Sequence, residues 1–261
     1  MRIEFLTQDD PLYVFPFFEE FVCRYAGEFE ITQISSSPPM GNRRRSQMLK
    51  ELTQLYGAVG MGRLVARLIK SRFLGIIPKQ SGAKSYATLA QLCNAYGIPY
   101  AKIGNPNASE FVEGIRRRSP DLLVSVACPF ILKEPVLSVA PKGAINIHHA
   151  PLPRYKGMMP TFWQMYHGER AVGVTIHQMV TKVDEGQILF QDLQAILPGE
   201  SLDQLIRRTK PHGAHCIAKV IRKIRDHVPV SIPMDKSNGS YFTFPTSGEI
   251  REFRKRGLRA I

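Results

Sequence analysis

The sequence predicts an α/β fold: a Rossmann-like, mostly parallel sheet flanked by helices, with an antiparallel hairpin late in the chain. Three observations predict it. Residues 2–35 have a strand, helix, strand order that is typical of a βαβ opening. Residues 121–127 form a continuous apolar run, as expected for a strand that is buried on both faces of a parallel sheet. From residue 85 onward helical and strand patterns alternate, which favours an α/β architecture.

The individual elements follow from periodicity and from end signals. A serine at 85 and a glycine at 97 bound one predicted helix, Pro160 begins another, and Ser201 caps a third that we expect to bend near Pro211. The predicted strands are 2–6, 30–35, 98–103, 121–127, 143–149, 172–179 and the second half of 181–197. The predicted helices are 15–26, 46–74, 85–97, 107–120, a short one within 130–139, 160–169 and 201–226.

Length and composition favour one globular domain with a small appendage, since the chain has 261 residues of which 44% are hydrophobic. We expect a catalytic domain over residues 1–226 and a C-terminal extension over residues 227–261. Within the first, residues 36–84 form a basic, mostly helical insertion for which the sequence indicates no role.

The charge restricts the class of partner without identifying it. A net charge of +13 and a pI near 9.8 favour nucleic acid, phosphorylated metabolites or an anionic surface. The basic face of residues 46–74 could lie on such a surface, although faces of this kind are more often simply solvated. The four cysteines form no CxxC pair, which argues against structural zinc and a disulfide framework. Neither a signal peptide nor a membrane-spanning run is expected, so we predict a cytoplasmic protein without a membrane partner.

Asn146 and His148 are the first candidate site residues. They lie at the carboxyl end of a predicted central strand, where ligands of such sheets bind, and as residues i and i+2 they point to the same side. Histidine transfers protons near neutral pH, and an amide can donate to a developing oxyanion. Asp184, in the later turn VDEGQ, is the best candidate for a carboxylate that raises the pKa of His148. Taken alone, an N-x-H pattern is weak support for catalysis.

The residues around Asn146 and His148 strengthen the case that these two residues are catalytic. The segment INIHHAPLPRYKG resembles the N-x-H-x-S-L-L-P-x-x-x-G signature of the folate-dependent formyltransferases, a family that includes methionyl-tRNA, glycinamide ribonucleotide and nucleotide-sugar N-formyltransferases. The segment VGVTIHQMVTKVDEGQILFQ resembles the second signature, which ends in D-x-G-x-I. The resemblance covers roughly residues 85–226.

The resemblance implies transfer of a formyl group from 10-formyltetrahydrofolate to a primary amine, without a metal. Asn146 and a protonated His148 would stabilise the oxyanion, while Asp184 would keep His148 charged and help to remove the amine proton. The implied folate-binding residues are Phe130, Ile131, Leu132, Val180, Thr181 and Val183. The expected substrate-binding residues are Leu152, Tyr155, Lys156, Gly157, Gln8 and Asp9.

Departures from the family pattern reduce the number of acceptor substrates that fit the sequence. Ala150 and Pro151 replace the usual Ser-Leu, and the run PLP followed by PTFW is closer to the sugar-modifying branch. The first turn, TQDDPLY, is acidic and lacks the glycines of a phosphate cradle, which disfavours the purine substrate. A tRNA acceptor is also not favoured, because few residues follow 226 to form the further β-barrel domain of the tRNA-directed members.

The acceptor that the resemblance implies is an amino-sugar nucleotide or another small, phosphorylated or nucleotide-linked amine. Two alternatives stay open: hydrolysis of 10-formyltetrahydrofolate at the same site, and a tRNA-directed or nucleic-acid-binding protein on this scaffold. A homodimer is compatible with the sequence. Of the other histidines, His149 is expected to be structural and His177 to be packed or solvated on its strand, and His212 with His215 forms a metal pair only if a third ligand lies nearby.

Overall fold

The computed structural model describes residues 1–39, 44–229 and 231–261. The first strand, residues 2–8, pairs in parallel with the strands at residues 30–37 and 122–126. The main sheet has seven strands in the order β3-β2-β1-β4-β5-β7-β8, and a separate pair joins β6 to β9. The strands are β1 (Arg2–Gln8), β2 (Glu30–Ser37), β3 (Tyr100–Lys102), β4 (Leu122–Val126), β5 (Ala144–His148), β6 (Lys156–Gly157), β7 (Ala171–Gln178), β8 (Ile188–Ala195) and β9 (Tyr241–Phe242).

The predicted change from parallel to antiparallel pairing is confirmed. The five strands from β3 to β5 run parallel, β7 pairs antiparallel with β5, and β8 pairs antiparallel with β7. The hairpin of β7 and β8 therefore closes one side of the sheet, next to the strand that ends in His148. The fold predicted from the sequence is correct.

Helices cover both faces of the sheet. They are α1 (Phe15–Tyr25), α2 (Arg45–Leu74), α3 (Leu89–Tyr96), α4 (Ser109–Arg118), α5 (Glu134–Leu137), α6 (Pro160–Tyr166), α7 (Leu202–Arg225) and α8 (Ser247–Lys255). Phe5 of β1 lies in the core under α1, α3 and α7, whereas the next residue, Leu6, lies in the core under α4 and α5. No helix within the described ranges is long and apolar enough to cross a membrane.

The end signals of two helices can be compared with the predictions. α7 has the predicted Ser201 cap, which forms a capping box with Gln204, and it continues through Pro211. α3 begins at Leu89 rather than at residue 85, so the prediction that a serine caps it was wrong. The cap is Thr88, whose hydroxyl accepts a hydrogen bond from the amide of Gln91 at 3.2 Å, and Gly97 ends the helix in the left-handed conformation, as predicted.

A second hydrophobic core joins the C-terminal residues to the rest of the fold. Phe162 of α6 stacks on Phe253 of α8 at 4.6 Å between ring centroids, and Leu55 and Leu64 of α2 belong to the same cluster. The helix α2 is kinked at Gly57, which has a φ of 69°. This helix occupies most of the segment predicted as a basic insertion. Arg43, the first of the three consecutive arginines, lies outside the described residues.

Candidate active site

Asn146 and His148 lie where the sequence predicts, at the carboxyl end of β5. The antiparallel register places Asn146 opposite His177 of β7, and the Asn146 amide nitrogen lies 3.1 Å from His177 Nε2. His148 Nδ1 lies 3.7 Å from one oxygen of Asp184, and His177 Nε2 lies 3.5 Å from the other. These four polar side chains, from two strands and one turn, therefore form one cluster at the carboxyl end of β5.

His148 is held in a defined tautomer. Its side chain is buried, and its Nε2 lies 2.8 Å from the backbone oxygen of Tyr155, which can only accept a hydrogen bond. Nε2 therefore carries a hydrogen, and Nδ1 is the nitrogen that faces Asp184. Burial lowers the pKa of His148 below its ordinary value, although Asp184 and the Tyr155 carbonyl partly oppose this effect. Burial therefore favours the neutral imidazole, against the expectation that Asp184 keeps His148 charged.

Asp184 is the anion of the cluster. Burial alone would raise its pKa, but His148, His177 and the Gly157 amide outweigh burial and lower the pKa to about 2. The Gly157 amide donates to the carboxylate at 3.0 Å. Asp184 has a φ of 52°, in the left-handed region that aspartate and asparagine tolerate better than most residues. The carboxylate is therefore ionised near neutral pH and fixed by contacts from two directions.

Gly186 is required by the turn that carries Asp184. A Cβ atom at this position would lie 1.8 Å from the backbone oxygen of Gln178, which cannot move away as a flexible side chain could. Only glycine lets the chain return so closely along the end of β7. The D-x-G pattern noted in the sequence thus has a steric cause here.

His177 is the residue that the sequence reasoning missed. It was expected to be packed or solvated on its strand, yet it contacts both Asn146 and Asp184. Its Nδ1 donates to the backbone oxygen of Gln178 at 2.8 Å, and its Nε2 lies between the Asn146 amide and the Asp184 carboxylate. The missed signal was the hairpin itself, because residues of paired strands that face each other share a side of the sheet.

The loop that follows β5 brings backbone rather than side chains to the cluster. The hydroxyl of Thr175 donates to the Ala150 oxygen at 2.6 Å and accepts from the Leu152 amide at 3.2 Å, which ties the loop to β7. The side chains of Leu152 and Tyr155 are buried, and the Tyr155 hydroxyl donates to Glu169 at 2.7 Å. Of the predicted substrate-binding residues in this loop, Lys156 and Gly157 are the ones that are only half-buried, and Lys156 pairs with Glu185 at 3.3 Å.

Gln8 and Asp9 lie at the same edge of the sheet but on a more distant strand. Gln8 ends β1 and Asp9 follows it, β4 separates β1 from β5, and all three strands run parallel. Asp9 pairs with Lys102 at 3.2 Å. Neither residue has a recorded contact with the cluster of Asn146, His148, His177 and Asp184 among the described residues, so a role for them requires a substrate long enough to reach across β4.

The residues implied in folate binding lie in two loops, one after β4 and one between β7 and β8. Three of them have exposed apolar side chains, with exposed fractions of 66% for Ile131, 45% for Val180 and 40% for Val183. Asn107 holds the first loop by donating to the Ile131 oxygen at 3.0 Å. Leu132 is buried in the core with Val136, so a ligand could meet only its backbone. Phe130 is partly buried against that core, and Thr181 is exposed.

His212 and His215, which were considered as a metal pair, contact different groups. His212 lies 2.9 Å from Asp192 and 3.3 Å from Cys216, whereas His215 contacts Tyr25 and Glu20. Among the described residues, Asp192, His212 and Cys216 are the group whose ligand atoms lie close enough to hold a metal ion. This group lies on β8 and α7, apart from the cluster at the end of β5.

Comparison with known proteins agrees with the geometry. Residues 82–221 match the family model described as formyl transferase, and the chain belongs to the formyl transferase family. The methionyl-tRNA formyltransferase of Syntrophus aciditrophicus (strain SB) is 34% identical over 165 residues, which are 63% of this chain and 53% of that protein. The chain therefore spans about half the length of this curated relative.

Solved structures show the same fold at low identity. The phosphoribosylglycinamide formyltransferase of Anaplasma phagocytophilum has a TM-score of 0.60 at 16% identity, covering 87% of this chain and 88% of that one. A sugar 3N-formyl transferase, solved in the presence of dTDP and 5-N-formyl-THF, has a TM-score of 0.55 at 14% identity and covers 100% of this chain and 82% of that one.

Proposed function

We propose that this protein transfers the formyl group of 10-formyltetrahydrofolate to a primary amine of a small, nucleotide-linked acceptor, with an amino-sugar nucleotide as the favoured class. The observation that carries the proposal is the convergence of Asn146, His148 and Asp184 within the residues that match the family. The amide, imidazole and carboxylate are the groups that acyl transfer to an amine needs.

The formyl donor supplies an activated one-carbon group when it is bound, and the two loops beside the cluster offer aliphatic side chains for the faces of its pterin ring and backbone groups for the polar edge of that ring. Ile131, Val180 and Val183 expose aliphatic side chains there. Such side chains cost free energy in water and gain it against a ring. We assign the binding of the ring to these side chains and to the backbone of Leu132 and Thr181.

Asn146, His148 and Asp184 have different roles in the proposed reaction. Asn146 uses one amide hydrogen toward His177 and has a second, which we assign to the oxygen that gains negative charge as the amine attacks. The neutral His148 next to the ionised Asp184 forms a pair that can take the proton released by the amine. The same pair can return that proton to the departing nitrogen, so the cluster ends in its starting state.

The lowered pKa of His148 is useful in this scheme. A histidine that was already charged could not take a proton from the amine, whereas a neutral one beside a carboxylate can, and the resulting imidazolium is stabilised by Asp184. Asn146 and the transient imidazolium together oppose the charge on the oxygen.

The preference for a nucleotide-linked amine has two supports. The first turn after β1 is acidic and glycine-free, unlike a phosphate cradle, which disfavours glycinamide ribonucleotide as the acceptor and leaves the sugar-modifying branch. The sugar 3N-formyl transferase structure, solved in the presence of dTDP, covers the whole of this chain in the comparison.

The test is incubation of the full chain with 10-formyltetrahydrofolate and a panel of acceptors: dTDP- and UDP-linked amino sugars, glycinamide ribonucleotide, methionyl-tRNA and no acceptor. Formation of tetrahydrofolate and of an N-formyl product with an amino-sugar nucleotide supports the proposal. Release of tetrahydrofolate at the same rate without any amine would show a hydrolase. Turnover restricted to methionyl-tRNA would refute the acceptor. The variant Asn146→Ala should lower kcat/KM by about 10²- to 10³-fold, as expected for the loss of one oxyanion donor.

A further inference from the structure

The solvent-facing side of α2 carries a row of large apolar side chains. The row consists of residues that follow one another at helical spacing and continue just past the helix end; we call it the α2 stripe, and it comprises Val65, Ile69, Phe73, Ile76 and Ile77. Their exposed fractions are 46%, 64%, 70%, 78% and 50%. Single exposed apolar residues are ordinary, but a contiguous row of this size on one helix face indicates a surface that something covers.

The stripe is held outward by firm contacts on the other side of the helix. Leu64 is buried in the second core, and Arg67 pairs with the buried Asp203 at 2.7 Å. At the end of the helix, the oxygen of Leu74 accepts from the side chain of Gln91 at 3.0 Å. The helix therefore cannot rotate to bury the stripe against its own fold without breaking these contacts.

Positive charge borders the stripe on both sides. At 100° per residue, Arg63 and Lys70 lie along one edge of the row Val65, Ile69, Phe73, and Arg72 lies along the other. All three cations are exposed. In the sequence, residues 52–109 contain no aspartate or glutamate.

We propose that the α2 stripe docks this protein on the surface of an anionic lipid bilayer, with the helix lying in the plane of the interface. The arrangement is the one such helices use: aliphatic and aromatic side chains enter the boundary of the acyl chains, and the flanking lysine and arginine side chains extend to the lipid phosphates. No segment has to cross the bilayer, so the proposal replaces the expectation of no membrane partner, which rested on the lack of a membrane-spanning run, with binding at the surface. The proposal concerns where the protein works and is independent of the acceptor of the formyl group.

The charge pattern disfavours the other occupants. A symmetric contact between two copies would bring the same patch of each copy together and place Arg63, Lys70 and Arg72 against like charges. A nucleic acid would need the cations at the centre of the surface and gains little from Val65, Ile69 and Ile76. An anionic bilayer satisfies both the apolar centre and the basic borders.

The experiment is co-sedimentation of the full chain with vesicles of phosphatidylcholine alone and of phosphatidylcholine mixed with phosphatidylglycerol. We expect binding to the mixed vesicles that weakens as salt is added. The double variant Ile69→Ser/Phe73→Ser should lose binding without any change of charge. The double variant Lys70→Gln/Arg72→Gln should bind about 30-fold more weakly, which is the effect of about 1 kcal/mol for each cation near an anionic surface.

The matched control is Arg116→Gln/Arg117→Gln, which removes the same charge from exposed positions on α4, a helix on the opposite face of the sheet. This control should bind like the unmodified protein. Equal loss in the control, equal binding to phosphatidylcholine alone, or no binding to either vesicle would overturn the proposal. So would a dimer in light scattering that Ile69→Ser/Phe73→Ser converts to a monomer, or a salt-sensitive complex with tRNA in place of vesicle binding. Circular dichroism of each variant establishes that the fold is intact.

Discussion

Replacement of Asp184 by asparagine is the sharpest test of the cluster, because it removes one charge and little else. Asparagine has the shape of aspartate and tolerates the left-handed backbone that Asp184 adopts, so the turn is not strained. The oxygen of the new amide can still accept from Gly157. What the variant lacks is the anion beside His148 Nδ1.

The size of the effect on stability follows from the pKa. In the folded protein the pKa of Asp184 is about 2, against an ordinary value of 3.8. At 1.36 kcal/mol for each pKa unit, the ionised carboxylate contributes up to about 2 kcal/mol to folding while His148 is protonated, and less once that imidazole is neutral. Because the folded pKa is the lower one, this contribution is fully present above pH 4 and is lost as the pH falls through about 2. Asp184→Asn should therefore be less stable at pH 7, and the difference should close in acid.

The effect on catalysis should be larger than the effect on folding. Without Asp184 the imidazolium form of His148 loses its counter-ion, so the proton of the attacking amine has a poorer acceptor. Loss of a positioned acid or base typically costs 10²- to 10⁴-fold in rate, and we expect a fall of about this size in kcat/KM. The acidic limb of any residual pH profile should move to lower pH, because His148 must be neutral to act as the base and its pKa falls further without Asp184.

The assay combines urea unfolding at pH 7 and pH 2, where most of the difference should be lost, with steady-state formyl transfer at pH 7, where the variant is still folded. The control is Glu113→Gln, which removes an exposed carboxylate on α4 and should change neither quantity appreciably. An unfolding free energy for Asp184→Asn that matches the parent at both pH values would show that the carboxylate is not the ionised, hydrogen-bonded group described here. Near-normal kcat/KM in a folded variant would refute its role in catalysis.

Two further positions give independent predictions. Burial lowers the pKa of Lys210 on α7 to about 8, and the nearby Asp10 opposes this effect. As the pH rises from 8 to 10.5, the unfolding free energy of the parent should therefore increase by about 3 kcal/mol relative to that of Lys210→Met. This gain appears because the unfolded lysine still binds a proton there and the folded one does not; a constant difference in urea unfolding across that range would contradict it. Gly186→Ala should lower stability by about 1–3 kcal/mol, since its Cβ would meet the Gln178 oxygen at 1.8 Å, and should also lower kcat/KM by displacing Asp184. An alanine variant with an unchanged melting temperature and rate would show that the turn has room.

The parallel sheet, the β7–β8 hairpin and three of the four residues of the cluster could be predicted from the sequence, for different reasons. Apolar runs such as residues 121–127 have few alternatives to a buried strand. Asn146 and His148 share a side because strand residues alternate, whatever the tertiary structure. The start of α3 was misplaced because Ser85 and Thr88 are both good caps, and only the tertiary contacts of residues 85–88 decide between them.

The protonation state of His148 lay beyond such reasoning. The sequence indicates a nearby carboxylate and therefore a raised pKa, whereas the structure adds complete burial, which outweighs the carboxylate. It also adds the Tyr155 carbonyl, which fixes the hydrogen on Nε2 and comes from an irregular loop whose path no periodicity encodes. The neutral imidazole is thus a property of the assembled loop, β5 and the hairpin together. Because the proposed chemistry needs His148 to gain a proton during the reaction, the feature that the sequence could not supply is the one that sets the direction of proton transfer.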